Sequence, residues 1–128
     1  MTMPIKILYI EDHAENRESI SELLPAIFVC EVKTAENGLN GVEQAINQDF
    51  SVILMDVGLP DISGVEAARR IRKHKPNQII IASSGHAILP EDTPAELFNA
   101  NFQKPFAGQL KEFKNFCVSV GVNLQELD

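Results

Sequence analysis

One stretch, Ser51 to Gly64, constrains this chain most: Ser-Val-Ile-Leu-Met-Asp-Val-Gly-Leu-Pro-Asp-Ile-Ser-Gly delivers a single acid, Asp56, to the end of an apolar run. Val52, Ile53, Leu54 and Met55 are apolar without alternation, which suits a strand buried on both faces of a parallel sheet. Pro60 and Gly64 break the chain beyond it, and Ser63 with Glu66 has the Ser-x-x-Glu spacing that caps a helix start. Asp56 therefore closes a strand that feeds a helix, which is where open α/β sheets bind ligands. From this segment alone, an Asp after a strand is equally a turn residue.

The remaining chain repeats the pattern. Ile5, Ile7, Leu8, Tyr9 and Ile10 form an apolar run that stops at Glu11-Asp12, and Ile20, Leu23, Leu24 and Ile27 then follow a helical stripe that Pro25 is expected to end near Leu24. Cys30 to Ala35 predicts a shorter strand, and beyond the Asn37-Gly38 break Leu39, Val42, Ala45 and Ile46 mark a second helix. Val65, Ala68 and Ile71 face inward from a third, whose last turn carries Arg69, Arg70, Arg72, Lys73, His74 and Lys75; a solvated end matched to the helix dipole is the expectation, with a nucleic-acid patch as the alternative. Gln78 to Ala82 predicts a fourth strand running into a polar turn, Ser83-Ser84-Gly85. Pro90 and Pro94 forbid one continuous helix after it, although Thr93-Pro94-Ala95-Glu96 reads as a helix start and predicts a short helix from Pro94 to about Asn99. The region from His86 to Asn99 is thus expected to be the most irregular of the chain. Asn101 to Gln103 is a brief last strand before Lys104-Pro105, and Leu110, Phe113, Cys117 and Val120 stripe a final helix that Gly121 can close.

Strand and helix alternate five times, which predicts an α/β fold with a doubly wound parallel sheet. The length of 128 residues fits one domain over 1–128, with any output module outside it. A formal charge of -7 argues against direct nucleic-acid or anionic-membrane binding and favours cations and basic partner surfaces. The sequence has neither a membrane-length apolar run nor a signal-peptide core at Met1 to Lys6, so a cytoplasmic location is expected. Cys30 and Cys117 lie far apart in apolar surroundings, as buried reduced thiols do.

Parallel strands point their carboxyl ends to one edge, so Glu11, Asp12, Asp56, Ser84 and Lys104 should converge there. Carboxylates crowded in this way repel one another, and a hard divalent cation with oxygen ligands relieves the repulsion; Mg²⁺ is the expected ion, with Mn²⁺ as the alternative. A carboxylate beside such an ion can attack phosphorus and form an aspartyl-phosphate. Ser84 would then hydrogen-bond one phosphoryl oxygen and Lys104 would pair with another. Taken singly, Ser84 is also a turn residue, Lys104 a surface lysine and Glu11-Asp12 helix-start acids.

With these residues placed, the chain resembles the receiver domain of two-component response regulators, in particular chemotaxis-regulator-like ones. The resemblance rests on Ile-Leu-Tyr-Ile-Glu11-Asp12, Leu-Met-Asp56 followed by Leu-Pro and Gly64, Ile-Ile-Ile-Ala-Ser-Ser84-Gly, and Lys104-Pro105-Phe106, in that order along almost the whole chain. It implies a five-stranded flavodoxin-like sandwich of strand order 2-1-3-4-5 with a short or irregular fourth helix, a topology for which a member of this family is a standing example. It further implies that Asp56 accepts a phosphoryl group from a histidine kinase or phosphotransfer protein, that Glu11, Asp12 and Asp56 serve the Mg²⁺ site together with the Gly58 carbonyl, that Ser84 is the switch hydroxyl, and that Lys104 is the phosphate-pairing lysine. Such a domain signals to a downstream protein or output domain, in some cases as a phosphorylation-dependent homodimer, and is not an enzyme toward other substrates. A phosphohydrolase of the same chemistry would need an acid at Gly58, and a flavin site would need a phosphate-cradling loop.

The switch region departs from the family pattern. Asn101 stands where receivers carry Tyr or Phe, three residues before the lysine, and Phe102 comes one later. Alternation along a strand then puts Phe102 on the face opposite to the usual switch aromatic.

Overall fold

The computed structural model describes residues 4–85, 89–91 and 93–128. Its order is β1 (Ile5–Ile10), α1 (Ala14–Ile27), β2 (Cys30–Ala35), α2 (Gly38–Asn47), β3 (Val52–Asp56), α3 (Gly64–His74), β4 (Ile80–Ser84), β5 (Ala100–Gln103), a 3-10 turn (Phe106–Gln109) and α4 (Leu110–Ser119). All strand pairs are parallel and the sheet order is β2-β1-β3-β4-β5, as the resemblance implies.

The apolar residues of the central strands go to one of two layers. Leu8, Ile10, Ile53, Met55, Ile80 and Ala82 pack with Ala45 of α2 and with Val65, Ala67, Ala68 and Ile71 of α3. Ile7, Tyr9, Val52, Leu54 and Ile81 pack with Ile20 and Leu24 of α1, and with Phe106, Phe113 and Cys117. Burial on both faces is why β1 and β3 read as continuous apolar runs. Both cysteines are buried and free.

Several boundaries differ from the sequence expectation. α1 continues through Pro25 to Ile27, because the proline falls in the last turn, where few hydrogen bonds remain to be lost, and the Phe28 N–H still reaches Leu24 O at 2.8 Å. β4 begins two residues late and runs through Ser83 and Ser84, which are not a turn: Ser83 pairs with Asp56 and Ser84 with Gln103. No helix lies between β4 and β5 among the described residues, so the helix expected from Pro94 is a single turn closed by the Leu97 N–H on Pro94 O at 3.1 Å. The Thr93 hydroxyl caps nothing; its Oγ1 is buried without a partner among the described residues. Leu97 and Phe98 instead bury themselves in the α2/α3 layer. Of the region expected to be most irregular, His86, Ala87, Ile88 and Asp92 lie outside the described residues.

Two further corrections concern helix ends. Arg72 is not a solvated helix-end cation: its guanidinium donates to Leu97 O, Pro76 O, Gln78 O and Asn99 Oδ1, at 2.7 to 3.0 Å. Val120 is 38% exposed and does not extend the stripe of α4. Gly121, at φ 85°, turns the chain so that the Val122 N–H bonds Cys117 O at 2.8 Å, and Val122 and Leu124 take the buried place. No helix among the described residues is long and apolar enough to cross a membrane.

Candidate functional site

The carboxyl edge of the sheet brings the predicted residues together. Glu11 follows β1 and is fully buried; its Oε1 accepts from Lys104 Nζ at 2.7 Å, from Asn16 Nδ2 at 3.1 Å and from the Tyr9 hydroxyl at 3.2 Å. Lys104 Nζ also lies 3.3 Å from Asp56 Oδ2, so one ammonium bridges two buried carboxylates. The other oxygen of Asp56, Oδ1, accepts from the Gly58 N–H at 3.1 Å. Ser84 shares with Asp56, Val57 and Gly58 the lining of a cavity of about 400 Å³.

The loop after Asp56 is held from two sides. The Gly64 N–H bonds Val57 O at 2.8 Å, and a Cβ at position 64 would stand 2.3 Å from the Asp56 carbonyl oxygen, so only glycine lets α3 start this close to the acid. Ser63 Oγ accepts from the Glu66 N–H at 3.1 Å, the expected cap. Asp61 reaches across to α2, accepting from the Gly38 and Leu39 N–H groups at 2.8 Å each.

Electrostatics divide the two buried acids. Burial, the largest single influence, would raise Glu11, but the hydrogen bonds with Lys104, Asp56, Asp12 and the His13 N–H together outweigh it and hold the acid well below the usual carboxylate range. Burial, and then the neighbouring Glu11, push Asp56 up to about 6, against the pull of the Gly58 N–H and Lys104. For Lys104, burial is overcome by Glu11 and Asp56, and its pKa rises. Tyr9 is raised by burial and by Glu11, so its hydroxyl stays a donor.

Acidic donor atoms of Glu11, Asp12 and Asp56, with a ring nitrogen of His13, all lie within 4.8 Å of one another. Asp12 Oδ1 is buried and accepts no hydrogen bond from the described residues. An orphaned carboxylate oxygen among three acids fits a hard divalent cation. Tyr9, His13, Asn16 and Asp61 were not singled out from sequence. Tyr9 could have been found from alternation, since it stands two residues before Glu11 on the same strand face; the others depend on contacts that spacing does not reveal.

On the switch side, Phe102 joins the α1/α4 layer and meets the Phe106 ring edge-on at 6.1 Å, the face expected for it. Asn101 pairs with Ala82 in register.

The family model for the response regulator receiver domain matches residues 7–107. Over 124 residues the chain is 32% identical to a protein-glutamate methylesterase/protein-glutamine glutaminase of Natronomonas pharaonis, covering 95% of this chain and 33% of that protein. It is 37% identical over 75 residues to hybrid signal transduction histidine kinase G of Dictyostelium discoideum, covering 58% of this chain and 2% of that one. The chain thus spans a third or less of the length of these curated relatives. Among solved structures it superposes on the response regulator TrrA of Thermotoga maritima in complex with Mg²⁺ and BeF, with TM-score 0.76, 26% identity, and coverage of 88% of this chain and 98% of that one. TrrA in complex with the histidine kinase ThkA gives TM-score 0.74, 28% identity, and coverage of 88% and 97%.

Proposed function

The chain belongs to the response regulator receiver domain family, a family of signalling domains, and on that premise we propose that Asp56 is its phosphoacceptor. The donor is a phosphohistidine of a histidine kinase or phosphotransfer protein. A bond forms from an Asp56 carboxylate oxygen to phosphorus as the phosphorus–nitrogen bond of the donor breaks, its electron pair leaving with the imidazole. The observation that carries this reading is the bridge of Lys104 between Glu11 and Asp56, at 2.7 and 3.3 Å. Burial raises the pKa of Asp56, and the positive charge of Lys104 pulls it toward the ionised, nucleophilic form.

Glu11, Asp12, Asp56 and the Gly58 carbonyl hold Mg²⁺, with Mn²⁺ as the alternative. The bound cation supplies positive charge against the incoming phosphoryl oxygens. Lys104 pairs with one of these oxygens as a point charge, and Ser84 donates its hydroxyl to another. Residues 1–128 act as one receiver domain, cytoplasmic, without enzymatic activity toward other substrates. The phosphorylated domain signals to a downstream protein partner or output domain rather than to nucleic acid, and homodimerises when phosphorylated. With no aromatic at position 101, coupling does not run through a Tyr or Phe rotamer.

Incubation with acetyl phosphate and Mg²⁺, followed by intact mass, tests the assignment. Wild type should gain one phosphoryl group and Asp56→Asn none, since the amide keeps the size and loses the nucleophile. Gain at undiminished rate in the variant would remove Asp56 from the reaction.

A further inference from the structure

His13 occupies the N-cap of α1 but makes no side-chain capping bond, so its ring serves no helix. The ring is turned to the acids instead: Nδ1 lies 3.3 Å from Glu11 Oε2 and 3.2 Å from Asp12 Oδ1. Glu11 Oε1 is occupied by Lys104, Asn16 and Tyr9, which leaves Oε2 on the His13 side. Asp12 Oδ1, buried and accepting no hydrogen bond from another group among the described residues, is the second atom Nδ1 faces. Ligand atoms about 2.0 to 2.2 Å from one tetrahedral ion stand roughly 3.3 to 3.6 Å apart, so these hydrogen-bond spacings are also close enough for the same atoms to share a single cation.

We infer that His13 Nδ1 is a nitrogen ligand of the carboxylate site, one that raises its affinity for borderline divalent cations such as Zn²⁺ while leaving Mg²⁺ binding nearly unchanged. The inference rests on the carboxylate metal site proposed above and adds to it a residue that sets ion preference. Mg²⁺ takes oxygen ligands and keeps its waters, so an imidazole adds little to its binding; zinc-class ions accept imidazole readily. The ring side chain is 70% exposed, so its proton can sit on Nε2 in water while Nδ1 offers its lone pair to a cation held by the acids. His74, by contrast, is at the end of α3, with its Nδ1 3.2 Å from Arg70 O.

The test is titration calorimetry of the whole chain with Zn²⁺ and, separately, Mg²⁺, for wild type, His13→Ala and Asp12→Asn. His13→Ala should lose on the order of tenfold in Zn²⁺ affinity and less than about twofold for Mg²⁺. Equal losses for both ions, or none for Zn²⁺, overturn the inference. Asp12→Asn should weaken both ions; if it weakens neither, the carboxylate site itself is misplaced, a failure separable from that of His13. Imidazole ¹⁵N spectra of the wild type make the result independent of how the variants fold. Zn²⁺ should shift the Nδ1 resonance of His13 and Mg²⁺ should not, and a Zn²⁺-saturated protein with that resonance unmoved overturns the assignment.

Discussion

Lys104 Nζ reaches Glu11 Oε1 at 2.7 Å across 93 positions of sequence, joining the last strand end to the first. Glu11 is fully buried, so the ion pair is what permits it to stay charged.

Lys104→Met should therefore destabilise the metal-free protein by about 2 kcal/mol at neutral pH, below the usual cost of breaking a buried pair because Tyr9 and Asn16 still donate to Glu11. The sign follows from the lowered Glu11 pKa: its stabilisation is present above the unfolded value of 4.5 and is lost as pH falls. Urea unfolding at neutral and acid pH should show the gap between variant and wild type narrowing on acidification. A gap that persists at low pH would assign the loss to packing rather than charge.

Asp56 carries the opposite sign. Its pKa is raised from 3.8 to about 6, so its contribution is fully present below the unfolded value and is lost as pH rises through the folded one. In chelator, wild type should lose stability relative to Asp56→Asn as pH rises from about 4 to about 6, by on the order of 2 kcal/mol. The difference reads the second proton of the Glu11–Asp56 pair. Added Mg²⁺ should flatten it, because a cation favours the ionised acid. A difference independent of pH would show that Asp56 is not held against ionisation.

Gly64→Ala tests how closely α3 must approach the acid. The new Cβ would meet the Asp56 carbonyl oxygen at 2.3 Å and Val57 Cα at 2.7 Å, both backbone atoms that cannot rotate away. A loss of about 2 kcal/mol is expected, with phosphoryl uptake at least tenfold slower because the loop bearing the nucleophile is displaced. Gly108→Ala, where nothing lies within 4 Å of the added carbon, is the control and should change neither.

These residues also mark how far the sequence is legible. The acids could be placed because they follow β1 and β3, runs that read as buried on both faces, and parallel strands then bring the strand ends together with Lys104 after the half-buried β5. Ser83 could not: a serine pair after three isoleucines reads as a turn, and only the pairing of Ser83 with Asp56 and of Ser84 with Gln103 makes it strand. Pro25 misleads for a related reason, since its cost depends on how many helical turns remain beyond it. That the described residues before β5 form no helix was half legible. Pro90 and Pro94 argue against a helix, but its place is taken by Arg72, with four bonds from another helix, and no local pattern announces that.

Arg72 gives the last prediction. Its Nη2 donates to Asn99 Oδ1 at 2.9 Å, and that same oxygen accepts the Ile80 N–H at 2.8 Å while the Asn99 N–H returns to Ile80 O at 2.7 Å. Nε on Leu97 O fixes the chain just before, and Nη1 on Gln78 O fixes the entry to β4. The guanidinium thus ties the entry to β4 to the end of the connection that leads into β5, a task helix packing would otherwise perform. Lysine cannot replace it, because its three donors share one nitrogen where a planar fork of three nitrogens is required. Arg72→Ala and Arg72→Lys should each free the connection by about 2 kcal/mol, which corresponds to roughly thirtyfold faster amide exchange at Ile80 and Asn99. Exchange in β1 and β3 should change less, because neither Arg72 nor Asn99 belongs to the apolar layers that bury those strands. Uniform acceleration across the sheet would mean that Arg72 supports the whole fold, and unchanged exchange at Asn99 would mean that the clamp is not formed in solution.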